Sequence, residues 1–334
     1  MYYFDDGSRF SSKIEALQYS LKSQKNFRLY YFDEVFSSID WSIEPSGNLQ
    51  YHYKQQAQRI RDEYDYVVLC YSGGADSTNI LETYVYNNIK LDKIVVVGAL
   101  NEDSAKGDDK NHNGELYHNV FPYIKDLGLE HITQICDYTT LFDKPENFSI
   151  YEYGENWVDI IGTRLSPHNW FWRDIHKHVV PKEWCSKKVA IIFGKDKPKL
   201  YFRQENKSKI FGFQFNDVVV NNYGNILTSE NCDRINFYWD HNYPFIIIKQ
   251  MHVLKRNFEV FKEIKSTDEL VYNLKRPLVF KSPKSLLKHM SLRDNFLFRK
   301  KSSSIYKFYF DGLHYLNKKV GLSQDTIYSK FYYV

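Results

Sequence analysis

Val67-Val68-Leu69-Cys70-Tyr71-Ser72-Gly73-Gly74-Ala75-Asp76-Ser77-Thr78 is the stretch around which the chain is organised. Residues of strand type run straight into Ser-Gly-Gly-Ala-Asp-Ser, and Asn79-Ile80-Leu81-Glu82-Thr83-Tyr84 then reads as the first turns of a helix. A strand, a glycine turn and a helix N-terminus together make an anion site, because the turn's N–H groups point at the ligand and the helix dipole favours negative charge. Gly73 and Gly74 permit positive φ and a close approach of backbone to phosphate. Ser72 and Ser77 carry hydroxyls that can donate to phosphate oxygens. Asp76 repels phosphate by itself and makes sense through a Mg²⁺ ion bridging its carboxylate to a pyrophosphate group. The plainer reading of the same residues is a tight turn with a Ser or Asp cap. Two glycines, two serines and an aspartate in this order exceed what such a turn needs.

The flanking sequence supplies an α/β context. A helix is expected over Asp76–Asn88, with Ile80, Leu81, Tyr84 and Val85 on one face. Lys93 to Leu100 is a nearly all-apolar run, the pattern of a strand buried on both faces of a parallel sheet. Strand, helix and strand within 35 residues predict an α/β, Rossmann-like, doubly wound parallel sheet. Ligands in such sheets sit beyond the carboxyl ends of the strands, where Ser72–Ser77 and Gly98–Asn101 both fall. Further elements are expected at 51–64 (helix), 114–127 (helix, capped near Gly128), His131–Cys136 (strand) and Val189–Phe193 (buried strand). The last of these ends in Gly194-Lys195-Asp196-Lys197-Pro198. Its functional reading has Lys195 or Lys197 neutralising a leaving pyrophosphate and Asp196 on Mg²⁺. The alternative is a charged turn before a strand at Leu200–Arg203. Trp157, Trp170, Phe171 and Trp172, interleaved with Arg and His, form either a wall of an acceptor pocket or an aromatic helix packed on the sheet. The boundaries expected are an N-terminal extension at 1–50, the nucleotide domain at 51–215, and a basic, mostly helical region at 216–334.

The Ser72–Ser77 hexapeptide resembles the pyrophosphate loop of the N-type ATP pyrophosphatases, the PP-loop superfamily, and in style the synthetase domain of asparagine synthetase. All the fixed positions of that loop agree, with a strand before and a helix after. The resemblance implies an adenine nucleotide alpha hydrolase-like fold, with ATP and Mg²⁺ held by Ser72, Gly73, Gly74, Ala75, Asp76 and Ser77. It also implies adenine contacts at the backbone of Gly98, Ala99 and Leu100. The implied activity is an AMP-forming ligase: ATP adenylates a carboxylate or carbonyl oxygen, pyrophosphate leaves, and a nitrogen nucleophile displaces AMP. Position 2 is Tyr where glutamine-dependent relatives carry a cysteine nucleophile, so ammonia or an amine is the expected donor. The match to the family's later Gly/Asp segment at Gly194–Lys197 is loose, because the Ser-Gly-Glu-Gly spacing is absent. Two alternatives stay open: a tRNA- or nucleobase-modifying enzyme of the same superfamily, and a non-catalytic nucleotide-binding or structural protein.

Composition narrows the class further. Apolar residues make up 43% and charged residues 26% of the chain, the balance of a globular protein, and the net charge of +4 implies no partner by itself. Cys70, Cys136, Cys185 and Cys232 form no CxxC pair, so free thiols in a reducing, cytoplasmic setting are expected. Cys136 and Cys185 are the pair that a thiolation chemistry would need. Residues 249–301 hold 14 Lys or Arg against 5 Asp or Glu. Such a segment can hold RNA phosphates or form a solvated helical face. No apolar run approaches the length of a membrane span.

Overall fold

A computed structural model describes residues 2–10, 16, 19–20, 22–29, 32–98, 116–137, 178–194, 199–205, 208–216, 231–260 and 329–333. The first strands, β1 (Tyr2–Phe4), β2 (Arg9–Phe10) and β3 (Phe27–Leu29), form a small antiparallel sheet in the order β2-β1-β3. Tyr2, Phe4 and Phe27 bury their rings there around Ala16. A short helix α1 (Asp33–Phe36) leads to α2 (Leu49–Glu63). Asn48 caps α2 by accepting the Tyr51 N–H, and Gly47 precedes it at φ 82°, so the chain turns sharply into the helix.

The central sheet follows. Strand β4 (Tyr66–Cys70), helix α3 (Ala75–Tyr86) and strand β5 (Lys93–Gly98) form the expected β-α-β unit. A π-helical turn at Leu116–Val120 runs into α4 (Phe121–Asp126), and Gly128 at φ 67° turns the chain toward β6 (Thr133–Asp137). Strand β7 (Val189–Phe193) matches its expected bounds. A hairpin of β8 (Lys199–Glu205) and β9 (Ser208–Asn216) comes next, then β10 (Cys232–Asn236), α5 (Phe245–Val260) and β11 (Ser329–Tyr333).

Among the described residues five strands form one all-parallel sheet in the order β10-β7-β4-β5-β6. The chain winds outward from β4 through β5 to β6, then returns to the other side of β4 for β7 and β10. This is an α/β fold with Rossmann-like strand order, and its direction reverses between β4 and β7. A third sheet, β11-β9-β8, is antiparallel.

Alternation along the strands separates two cores. Val67, Leu69, Ile94, Val96, Ala190, Ile192, Ile235 and Phe237 belong to the larger core, with Tyr53, Ala57 and Ile60 of α2, Ile80, Leu81 and Tyr84 of α3, and Ile247, Met251 and Leu254 of α5. Val68, Cys70, Val95, Cys136, Val189, Ile191, Phe193 and Cys232 face the other way, against Val179, Val180 and Trp184. Each buried aliphatic side chain contributes about 1.5–3 kcal/mol, so the paired layers dominate the stability of this sheet.

Two expectations change here. The sheet does not end near residue 215: β10 is its edge strand and α5 fills its core, because β7 needs a partner on the side away from β4. Nor is the N-terminal stretch detached, since Phe36, Trp41 and Leu49 bury into the same core. The region after 216, expected to be mostly helical, contributes strands β10 and β11 as well as α5, while residues 261–328 lie outside the described part. Among the described residues no helix is long and apolar enough to cross a membrane.

One polar clip ties α2 to the sheet. Asp92 is buried just before β5; its carboxylate accepts from Arg61 and from the Val67 N–H, and pairs with Lys90. Burial alone would raise its pKa, but the bonds from Lys90, Arg61 and Val67 outweigh that and hold the carboxyl below its ordinary value. Its stabilising contribution is therefore fully present above the ordinary carboxylate range and is lost as the pH falls through the lowered value. Asp92→Asn should lower the unfolding free energy by about 1.5–3 kcal/mol, the range for a hydrogen bond to a charged group, because it removes the charged partner of Arg61, whose guanidinium keeps only the Tyr64 and Asp65 carbonyls. It should also flatten the loss of stability at acid pH. Urea denaturation across pH checks both.

Candidate functional site

The candidate site lies where three strands, β4, β7 and β5, end at the carboxyl edge of the sheet. The first turn is the loop after β4. Tyr71 still follows the strand, its N–H donating to the Val95 carbonyl at 2.8 Å. Gly73 then takes φ 75°, the left-handed region that a side chain disfavours. Gly74, expected to need the same freedom, instead has φ −70° and ψ 160° and serves as the N-cap of α3. Its carbonyl opens the helix by accepting the Thr78 N–H at 3.0 Å. The first-turn N–H groups of α3 have no acceptor within the helix.

Hydroxyls brace this loop from within. Ser77 is buried; its Oγ accepts from the Ser72 N–H at 3.2 Å, donates to the Gly74 carbonyl at 3.1 Å, and lies 3.1 Å from Ser72 Oγ. Thr78 Oγ1 donates to the Gly73 carbonyl at 3.4 Å and lies 3.3 Å from Tyr71 Oη. Ser72 is exposed and Asp76 half-buried, so both reach the surface beyond the strand end. Asp76 also supplies the negative first-turn side chain of α3.

The second turn is Gly194, directly after β7. Cys70 and Phe193 are register partners, so the two strands end at one level. A Cβ on Gly194 would stand 2.8 Å from Ser77 N and 3.0 Å from Asp76 C and Ser77 Cα. These are backbone atoms that cannot swing aside. The sequence assigned Gly194 to a phosphate-facing turn; the structure brings it into contact with the first loop's own backbone. Gly98, the third expected contributor, is buried at the end of β5, next to β4.

Lys195, Asp196, Lys197, Ala99 and Leu100 lie outside the described residues, as does the aromatic patch at Trp157–Trp172. Cys136 is buried near the carboxyl end of β6, whereas Cys185 is exposed ahead of the amino end of β7. Burial raises the thiols of Cys70 and Cys136 and pushes that of Cys232 up to about 12. Neutral thiols of this kind are poor nucleophiles.

Sequence reasoning missed a residue on the far side of the loop. Tyr238, fully buried after β10, donates its hydroxyl to the Asp76 carbonyl at 2.7 Å and accepts from Asn79 Nδ2 at 2.8 Å. Nothing in the local pattern around Tyr238 points to a loop 162 residues earlier.

For Mg²⁺, the fit lies in the donor set. Among the described residues no group of three or more His, Cys, Asp or Glu could hold a metal ion. A half-exposed carboxylate in the first turn of a helix is a donor of the kind Mg²⁺ takes, one or two carboxylates with the remaining positions filled by waters or phosphates. The basic segment begins differently from a phosphate-binding surface. Lys249 bonds Glu44 at 2.6 Å and the Pro45 carbonyl at 3.0 Å, and Arg256 pairs with Glu44, so both hold the N-terminal stretch. An open groove of about 440 Å³ is lined by Gln55, Gln58, Arg59, Asp62 and Glu63, all from α2 and none from the loop.

The chain matches no protein-family model, and no curated protein matches it.

Gly194→Ala should lower stability by about 1–3 kcal/mol, the range for overpacking a tight contact. Its effect should be local. Amide hydrogen exchange should accelerate in the first turn of α3, at Ser77 and Thr78, while Ile94–Val96 of β5 stay protected.

Proposed function

We propose that this chain is an ATP pyrophosphatase-type enzyme of the PP-loop kind, with an adenine nucleotide alpha hydrolase-like fold. One observation carries the reading. The Ser72–Ser77 loop stands at the carboxyl end of β4, at the point where the strand order reverses, and Gly194 packs bare against its backbone. Ligands of open α/β sheets bind at such a reversal, and an anion there meets a helix N-terminus and a glycine turn.

In this reading ATP lies across the carboxyl ends of β4 and β5, its phosphates toward the loop. The N–H groups of Ala75, Asp76 and Ser77 and the Ser72 hydroxyl take the β- and γ-phosphates, and the α3 dipole favours their charge. Asp76 would hold Mg²⁺, which supplies charge neutralisation on the departing pyrophosphate. A carboxylate or carbonyl oxygen of the acceptor attacks the α-phosphorus. The bond from the α-phosphorus to the bridging oxygen breaks, and pyrophosphate carries away the electron pair. A nitrogen nucleophile then displaces AMP, which leaves with the acceptor's oxygen. The protein contributes position and electrostatics rather than a covalent intermediate of its own. The RNA-modifying alternative gains nothing from Lys249 and Arg256, which are engaged with Glu44.

The test is exchange of labelled pyrophosphate into ATP against pools of amino acids, nucleobases and tRNA. AMP and pyrophosphate are the expected products; ADP and orthophosphate would overturn the assignment. Asp76→Asn should melt within a few degrees of the unaltered protein, since a half-exposed charge in the first turn of a helix contributes only about 0.3–1 kcal/mol. It should nonetheless lose most of the exchange, because the charge that holds the metal is gone. Ser77→Ala should lose less, through a loosened loop rather than a missing ligand.

A further inference from the structure

The bond from Tyr238 to Asp76 has an unusual setting. Its acceptor is a carbonyl in the first turn of α3, and the same hydroxyl accepts from Asn79, three residues along that helix. The hydroxyl thus staples the helix turn that carries Asp76 and Ser77. Asn79 is buried, and its Oδ1 accepts no hydrogen bond. Leaving a buried amide oxygen unsatisfied is costly, and an apolar side chain at 79 would avoid that cost; the amide that is there donates to Tyr238.

The ring of Tyr238 is held in turn. Tyr53 of α2 meets it edge-on, with centroids 5.7 Å apart and planes at 85°, and Tyr53 Oη accepts from Gln250 of α5 at 3.1 Å. Burial raises the pKa of both phenols, so Tyr238 remains a donor across the working pH range. The same peptide unit, Asp76 to Ser77, also packs on Gly194. The backbone of Asp76 is therefore held twice, by a hydrogen bond and by a close contact, while its side chain is half-exposed.

We propose that Tyr238 is a positioning residue for the phosphate loop: its hydroxyl, bridging the Asp76 carbonyl and the Asn79 amide, sets the first turn of α3 so that the Asp76 carboxylate and the turn's N–H groups meet a Mg·pyrophosphate group in one geometry. The role rests on the AMP-forming reading above. It differs from a fold-holding role in its direction of action, from β10 and α5 through Tyr238 onto the residues that face the ligand.

The experiment compares full-length Tyr238→Phe with Tyr64→Phe. Tyr64 Oη also makes a partly buried bond, to Asp233 at 2.9 Å, but at the amino end of the sheet, away from the loop. Mg·pyrophosphate binding is read by titration calorimetry and stability by thermal melting. Tyr238→Phe should bind Mg·pyrophosphate roughly three- to tenfold more weakly, the factor a single neutral hydrogen bond supplies. Tyr64→Phe should lose a similar melting temperature yet bind as the unaltered protein does. Asn79→Leu, which keeps the bond to Asp76 but frees the hydroxyl's other side, should weaken binding in the same direction and by less. It serves as the deciding variant if Tyr238→Phe fails to fold. Equal binding by Tyr238→Phe or Asn79→Leu and the unaltered protein overturns the positioning role, as does equal weakening in Tyr64→Phe. Absence of Mg·pyrophosphate binding in the unaltered protein overturns the nucleotide reading and the role together.

Discussion

The carboxyl edge of the sheet depends on how closely β4 and β7 bring two turns together. Parallel neighbours lie about 4.8 Å apart, and here both strands end on the same register pair, Cys70 and Phe193. A helix that starts soon after one strand must then pass over the exit of the other. The backbone of Asp76 and Ser77 occupies that space, and the residue leaving β7 has room for a hydrogen but not for a methyl group. Gly194 is thus a packing requirement of the crossing as much as a feature of the site. The same crossing sets the first turn of α3 beside the sheet's reversal point.

Polar side chains inside the larger core hold the layers in register. The buried stripe of α2 runs Leu49, His52, Tyr53, Gln56, Ala57, Ile60, at helical spacing. Three of these six are polar or carry a polar tip, and each has a specific partner. Gln56 donates to Asp240, His52 meets Tyr243 and the Ser46 carbonyl, and Tyr53 accepts from Gln250. Arg59 joins Asp240 as its ionic partner. A buried carboxylate held by one guanidinium and one amide is oriented rather than merely neutralised. In this way the segment after β10 is locked against α2, and Tyr238 is brought under the loop.

The N-terminal stretch is anchored by similar means. Trp41 donates its indole N–H to the Phe36 carbonyl at 2.8 Å, and the Trp41 carbonyl is 3.0 Å from His252 Nε2 on α5. With Glu44 paired to Lys249 and Arg256, residues 36–50 become part of the α/β unit. Lys249 and Arg256, the two of these basic residues that pair with Glu44, fasten the N-terminal stretch, because a charge run reports composition and not the direction in which each side chain turns.

The sequence by itself determined the local units: β4, the glycine loop, α3, β5 and β7 all stand where their periodicity and turn residues placed them. Their bonds are short-range, between neighbours in a helix or across a turn, so the information is contiguous. Helix α2 was legible as a helix but not as a core helix, since His52 and Gln56 hide its apolar stripe until Tyr243 and Asp240 are brought against them. Tertiary structure alone decided that β7 and β10 lie on one side of β4 and β5 and β6 on the other, that Gly194 touches the Ser77 backbone, and that Tyr238 reaches Asp76. The pairing of β4 with β7 and these contacts join residues more than a hundred positions apart, and what selects them is the burial of both sheet faces together with the pairing of most buried polar groups, neither of which any single stretch of sequence contains.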